Sequence, residues 1–89
     1  MKAEYKIPGG KLLACTIETD GDRIRELKIS GDFFMHPEES ITELERTILG
    51  SKTIDYPQRI HGYFENHKII LYGVTPEDFV KVIQIALDS

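Results

Sequence analysis

Within residues 29–39, Ile-Ser-Gly-Asp-Phe-Phe-Met-His-Pro-Glu-Glu, a strand-like pattern stops and a helical one starts, and this junction limits the fold more than any other stretch. Before it, in residues 23–30, Leu27 and Ile29 alternate with Glu26, Lys28 and Ser30, the two-residue period of a half-buried strand. After it, Ile41, Leu44 and Ile48 fall at i, i+3 and i+7 with Leu49 beside them, the period of an amphipathic helix. Gly31-Asp32 is a turn signal, and Pro37 suits a first helical position because its fixed φ fits there and its missing N–H is not needed. Phe33 and Phe34 are adjacent at this corner. On an extended backbone their side chains leave on opposite sides, so a single core cannot easily hold both and one is expected to face outward.

Upstream, residues 3–7 suit a strand, Pro8-Gly9-Gly10 breaks it, and residues 11–19 form a second β-branched and apolar run. Two strands around a Gly-Gly loop make a hairpin. Asp20-Gly21-Asp22 is a second hairpin signal, since Asp-Gly tolerates the positive φ that a tight primed turn needs at both central residues. Leu13, Cys15 and Ile17 share one face of the second strand, and Leu12, Ala14, Thr16 and Glu18 the other, less apolar one. Ile24 has the wrong parity for its strand, which predicts a bulge near the turn. The expected unit is a three-stranded antiparallel meander.

Downstream, the spacing predicts a helix over residues 37–49, opened by Glu38-Glu39 and ended by Gly50, or one turn shorter if Ser40 caps it in the pattern Ser40-x-x-Glu43. A second helix is expected from Pro57 to a stop at Asn66, with Ile60, Tyr63 and Phe64 on one face and Gly62 costing about 1 kcal/mol relative to Ala. Residues 68–74 are an apolar run that fits an extended connection or an added edge strand, and periodicity does not choose between them. The last helix has Thr75 as N-cap, Pro76 in first position, Asp78 in the first turn, and a stripe of Phe79, Val82, Ile83 and Ala86. Three strands followed by about three helices is an α+β order, with the helices on one face of the sheet in two layers, as one domain over residues 1–89.

Eleven basic against fifteen acidic residues give a net charge of −4 without a Lys/Arg stripe, which argues against nucleic acid or an anionic membrane as partner. Hydrophobic residues at 40% and charged residues at 29% are globular values rather than disordered ones. One cysteine makes no internal disulfide and no apolar run suits a signal peptide or a membrane span, so a cytoplasmic location is expected. Cys15, at period two with Leu13 and Ile17, reads as a small buried hydrophobe rather than a reactive thiol.

Few groups suggest chemistry. Gly9-Gly10-Lys11 could bring backbone N–H groups and one cation to a phosphate, yet no G-x-x-x-x-G-K-[ST] pattern is present, and a hairpin turn explains the same residues. Asp32, His36, His61 and His67 lack metal-ligand spacing, so no metal site is expected. Glu38 and Glu39 belong at a helix start for reasons of dipole alone. No nucleophile–base order stands out, and no catalytic residue is expected. Phe33, Phe34 and Met35 at the corner make a natural docking surface, with Asp32 beside them to orient a partner's Arg or Lys.

Three runs carry a family resemblance: Lys6-Ile7-Pro8-Gly9-Gly10-Lys11-Leu12; Ile29-Ser30-Gly31-Asp32-Phe33-Phe34 with Pro37-Glu38-Glu39, Glu45 and Leu49-Gly50; and Gly73-Val74-Thr75-Pro76-Glu77-Asp78-Phe79. In this order, over nearly the whole chain, they resemble the small C-terminal domain of lipoate–protein ligases, without the large catalytic domain. The resemblance implies a fold similar to iron–sulfur scaffold proteins, although a single cysteine cannot ligate a cluster. It implies an accessory subunit that forms a heterodimer with a separate catalytic subunit, with no cofactor bound alone. In the assembled ligase, ATP with Mg would activate lipoate to lipoyl-AMP before transfer to a lysine of lipoyl domains, and the small domain would matter mainly for activation. On that reading Gly31, Asp32, Phe33, Phe34 and Met35 dock the partner, and Gly9, Gly10 and Lys11 lie near phosphate. Two other readings are a self-sufficient acyl carrier, which two well-capped helices argue against, and a stand-alone ligand-binding or regulatory domain sharing the fold.

Overall fold

The computed structural model describes residues 1–89. Strands β1 (Lys2–Lys6), β2 (Leu12–Asp20) and β3 (Arg23–Gly31) form an antiparallel sheet in the order β1-β2-β3. A second, two-stranded antiparallel sheet joins β4 (Phe34–His36) to β5 (Ile70–Tyr72). The helices are α1 (Ser40–Ile48), α2 (Tyr56–Asn66) and α3 (Pro76–Asp88). Helix α3 covers β1 and β2, α1 covers β3, and α2 packs on α1 and α3. This is the expected α+β arrangement with an added ribbon. None of the helices is long and apolar enough to cross a membrane.

The alternation in β2 sets the core. Leu13, Cys15 and Ile17 are buried, while Leu12, Ala14, Thr16 and Glu18 lie on the half-open face. The register shifts at Glu18/Thr19, so Thr19 pairs with Ile24 while Glu18 pairs with Glu26. That bulge returns Ile24 to the inner face, where it is buried, as its parity required. The hairpin turn differs in position from the expected one. Asp20 pairs with Arg23, so the central residues are Gly21 and Asp22, and only Gly21 has a positive φ, +62°. Glycine in the first central position supplies the one unusual angle such a turn needs.

Burial also fixes the chemistry of Cys15, whose thiol is pushed from an ordinary 9.0 up to about 11. As pH rises from about 9 to about 11, the unfolded chain loses this proton while the folded chain keeps it. Stability from this group therefore falls over that window, by roughly 1.4 kcal/mol per pH unit at most. A Cys15→Ala variant should show a shallower loss than the parent when urea midpoints are compared across it; equal slopes would refute the assignment.

The corner folds differently from its local sequence pattern. Residues 34–36 are strand, the His36–Pro37 peptide bond is cis, and residues 37–39 turn into α1. Pro37 thus sits in the turn rather than as the first helical residue, and the helix takes the shorter form. Ser40 does not cap it either: Glu39 is the N-cap, and Ser40 is buried inside the first turn. Glu43, freed from a capping box, accepts a hydrogen bond from the Tyr63 hydroxyl at 2.8 Å. Burial, then that bond, raises the Tyr63 phenol above its ordinary value.

The open edge of β3 is capped at two points by α1 and the residues after it. Ile24 donates its N–H to Ser51 O at 2.9 Å and accepts from Gly50 N–H at 2.8 Å. Farther along, the buried Glu45 carboxylate accepts from Ile29 N–H at 2.8 Å. Capping the edge at Ile24 and Ile29 shortens the stretch of β3 that another strand could pair with. Replacing Glu45 by Leu removes the acceptor and leaves a buried N–H, a cost of about 1–3 kcal/mol, whereas Gln keeps an acceptor oxygen and recovers most of it. Thermal unfolding of the two variants tests this, and equal midpoints would show that the bond contributes nothing.

Candidate functional site

The three family-like runs, far apart in sequence, meet around the ribbon. The loop between β1 and β2 is closed by Ile7 N–H donating to Lys11 O at 2.7 Å and Gly10 N–H donating to Ile7 O at 3.0 Å. Gly9, Gly10 and Lys11 are exposed, and the loop is the hairpin connection that its glycines suggest. The aliphatic stem of Lys11 lies over Gly73, so closely that a Cβ there would stand 3.3 Å from Lys11 Cγ and Cε. That contact joins the first run to the third.

The second run is tied to the first through Leu12. Its carbonyl accepts a hydrogen bond from Asp32 N–H at 2.9 Å, immediately after Gly31 passes over the same carbonyl. The two phenylalanines then part as their adjacency required. Phe33 turns inward and meets Phe79 of α3 edge to face, with ring centres 5.5 Å apart. Phe79 in turn stacks on Phe64 of α2 at 5.9 Å. Phe34 faces out, 49% exposed, while Met35 beneath it is buried in the core. The open side of the corner therefore belongs to Phe34, with Gly31 and Asp32 exposed beside it.

Helix α3 holds the far side of this junction. Thr75 N–H donates to Asp78 Oδ2 at 2.8 Å, and the Thr75 hydroxyl donates to the same oxygen at 3.1 Å. This fixes the helix start directly after β5, so Gly73 and Phe79 keep their places against Lys11 and Phe33. Thr75→Ala should cost about 1 kcal/mol, read as a fall in unfolding midpoint, with a smaller fall expected from Glu77→Gln, whose exposed carboxylate meets only the helix dipole and His61.

Sequence reasoning missed the partners of Phe34. Across the ribbon Phe34 pairs with Tyr72 and His36 with Ile70. The Phe34 and Tyr72 rings are 5.9 Å apart, and Phe34 and His36 stack at 6.4 Å. Ile70 and Tyr72 are on the same side of β5 at period two, which was the available signal in residues 68–74. Elsewhere the polar groups are dispersed. His61 pairs with Glu77 at 2.6 Å, and His67 Nδ1 lies 2.9 Å from Tyr63 O. No three His, Cys, Asp or Glu side chains are grouped to hold a metal ion.

This geometry is an aromatic, solvent-facing corner rigidly backed by a core. A curated relative, lipoate-protein ligase A subunit 2 of Thermoplasma acidophilum, is 43% identical over 74 residues, which are 83% of this chain and 78% of the relative. The chain belongs to that lipoate–protein ligase subunit family. No family model matches the sequence. A solved structure from the same organism, in a study of an archaeal lipoylation system with a bi-partite lipoate protein ligase and its E2 lipoyl domain, aligns with a TM-score of 0.86 and 36% identity. The alignment covers 93% of this chain and 92% of that one. The α+β fold described above is thus matched over nearly its whole length by a chain of that system.

Proposed function

We propose that this chain is the non-catalytic subunit of a two-part lipoate–protein ligase, required with a separate catalytic subunit to activate lipoate. The observation that carries the reading is the match of almost the whole fold to a chain from a bi-partite ligase system. In the activation step the lipoate carboxylate attacks the α-phosphorus of ATP, pyrophosphate leaves, and lipoyl-AMP forms. A lysine amine of a lipoyl domain then takes the acyl group and AMP leaves.

The contribution of this chain is positional. Docked through the corner at Gly31, Asp32 and Phe34, with Phe33 and Met35 beneath, it acts as a lid that excludes water and orders the catalytic subunit's loops around ATP, Mg and lipoate. The Gly9-Gly10-Lys11 loop is held against the same corner through the Lys11 stem on Gly73, which supports an electrostatic role for the Lys11 ammonium toward the nucleotide phosphates. ATP and lipoate bind in the assembled ligase, not on this subunit alone.

The test is lipoate-dependent pyrophosphate release by the catalytic subunit, with and without an equal amount of this chain. Release should appear, or rise by at least about tenfold, only when both are present. Transfer from supplied lipoyl-AMP should depend on it far less. If neither step responds, the chain is a stand-alone domain that shares the fold.

A further inference from the structure

Three apolar side chains on one small face are left open to solvent: Phe34 at 49%, Ile70 at 50% and Tyr72 at 65%. With His36 they make up the outer side of the β4–β5 ribbon, in the two cross-strand pairs Phe34–Tyr72 and His36–Ile70. The other exposed large apolar residues, Leu49, Ile54 and Ile85, occur singly on separate parts of the chain. Beside the ribbon lies an open cleft of about 220 Å³ lined by Phe33, Phe34, Met35, Ile41 and Glu38. Four walls are apolar and the fifth residue carries the only charge. Asp32 and Glu39 are exposed nearby in sequence and add to the negative side of the corner.

We propose that the ribbon face and its cleft form the seat of the catalytic subunit, which meets them with an apolar patch and an arginine that enters the cleft and pairs with Glu38. The proposal rests on the accessory-subunit reading and gives that subunit's contact a chemistry. An arginine fits because its stem is apolar and its guanidinium planar: the stem lies along Phe33, Phe34 and Ile41 while the fork meets a carboxylate. Aromatic anchors with a desolvated arginine are the usual energetic centre of an interface.

Charge favours a separate partner over a second copy, because a two-fold contact of this corner with itself would bring the exposed Asp32, Glu38 and Glu39 toward their own like charges. Two strands of three residues present a face on the order of 100–200 Å², against the roughly 800 Å² per side that a stable interface buries. The ribbon is therefore one part of a wider contact. The surfaces that extend it are the Gly9–Lys11 loop, held at Gly73, and the acidic turn before α1.

Calorimetric titration of the catalytic subunit with the parent chain and with Ile70→Ser, Tyr72→Ser, Glu38→Gln and Glu38→Lys tests the proposal. All four variants change exposed residues, so the fold should persist, and circular dichroism checks this. Each serine variant should weaken binding by about tenfold or more, and Glu38→Lys by more than Glu38→Gln. Raising salt from about 50 to about 300 mM should weaken the parent complex and change the Glu38→Gln complex much less. If the parent binds and all four variants bind within about twofold of it, the ribbon assignment is overturned while the subunit reading stands. If the parent does not bind, the subunit reading itself fails. Sedimentation of the chain alone supplies the last outcome: a dimer abolished by Tyr72→Ser would assign the face to a second copy and overturn the proposal.

Discussion

Replacing Gly31 by alanine should destabilise the domain by about 3 kcal/mol, a fall in unfolding temperature of roughly 12–24 °C for a chain of this size. The residue has φ +153°, in a region that glycine alone adopts readily, and a Cβ placed on it would stand 2.3 Å from the backbone carbonyl oxygen of Leu12. That oxygen is also the acceptor for Asp32 N–H at 2.9 Å. The collision is with backbone, so no side-chain rotation relieves it, and any relief must pull the end of β3 away from β2. Gly21 is the internal control. Its φ is +62°, and a methyl added there would meet nothing within 4 Å, so Gly21→Ala should cost only the conformational strain, about 1–2 kcal/mol. The difference between the two variants in urea unfolding measures the close approach itself. A Gly31→Ala variant no less stable than Gly21→Ala would show that the corner does not depend on it.

The same corner separates what local pattern reveals from what it hides. The strand faces, the bulge that rescues Ile24 and the capped start of α3 were legible, because each is set by neighbours a few residues away. That one of Phe33 and Phe34 turns outward was legible for the same reason, as parity alone forces adjacent residues apart on an extended backbone, but parity did not say which one. The ribbon was not. Residues 68–74 leave an added edge strand open and Ile70 and Tyr72 share a two-residue period, but with only three residues in each strand nothing local says that 70–72 pairs with 34–36. Tyr72 and Ile70 therefore stayed invisible as partners of Phe34. Pro37 misled because a proline suits both a helix start and a turn. Met35 falls between two exposed neighbours, and its inward direction follows once β4 is known to be a strand. The buried acceptor role of Glu45 had no signal of its own in composition or spacing.

Phe79→Ala should remove about 3–5 kcal/mol, the largest single loss expected in this domain. Stability for 89 residues is on the order of 4–13 kcal/mol, so the variant loses a large share of it and, for a domain at the low end of that range, unfolds. Phe79 is fully buried and is the ring shared by two others, Phe33 at 5.5 Å and Phe64 at 5.9 Å. It therefore connects α3, α2 and the corner that carries Phe34. Phe79→Leu should be milder, since it keeps an apolar side chain in the site, while still losing both ring contacts. If the corner is held for docking through Phe33, Phe79→Leu should weaken binding to the catalytic subunit in protein that remains folded. Phe64→Leu, which leaves the Phe33–Phe79 contact in place, should affect binding less. A double-mutant cycle on Phe33 and Phe79 should give a coupling of about 0.5–1.5 kcal/mol in unfolding free energy. Excess catalytic subunit should also raise the unfolding temperature of Phe79→Leu, because a partner that binds only the folded form draws the equilibrium toward it. Coupling near zero, with binding unchanged in Phe79→Leu, would mean that α3 supports the core but not the corner.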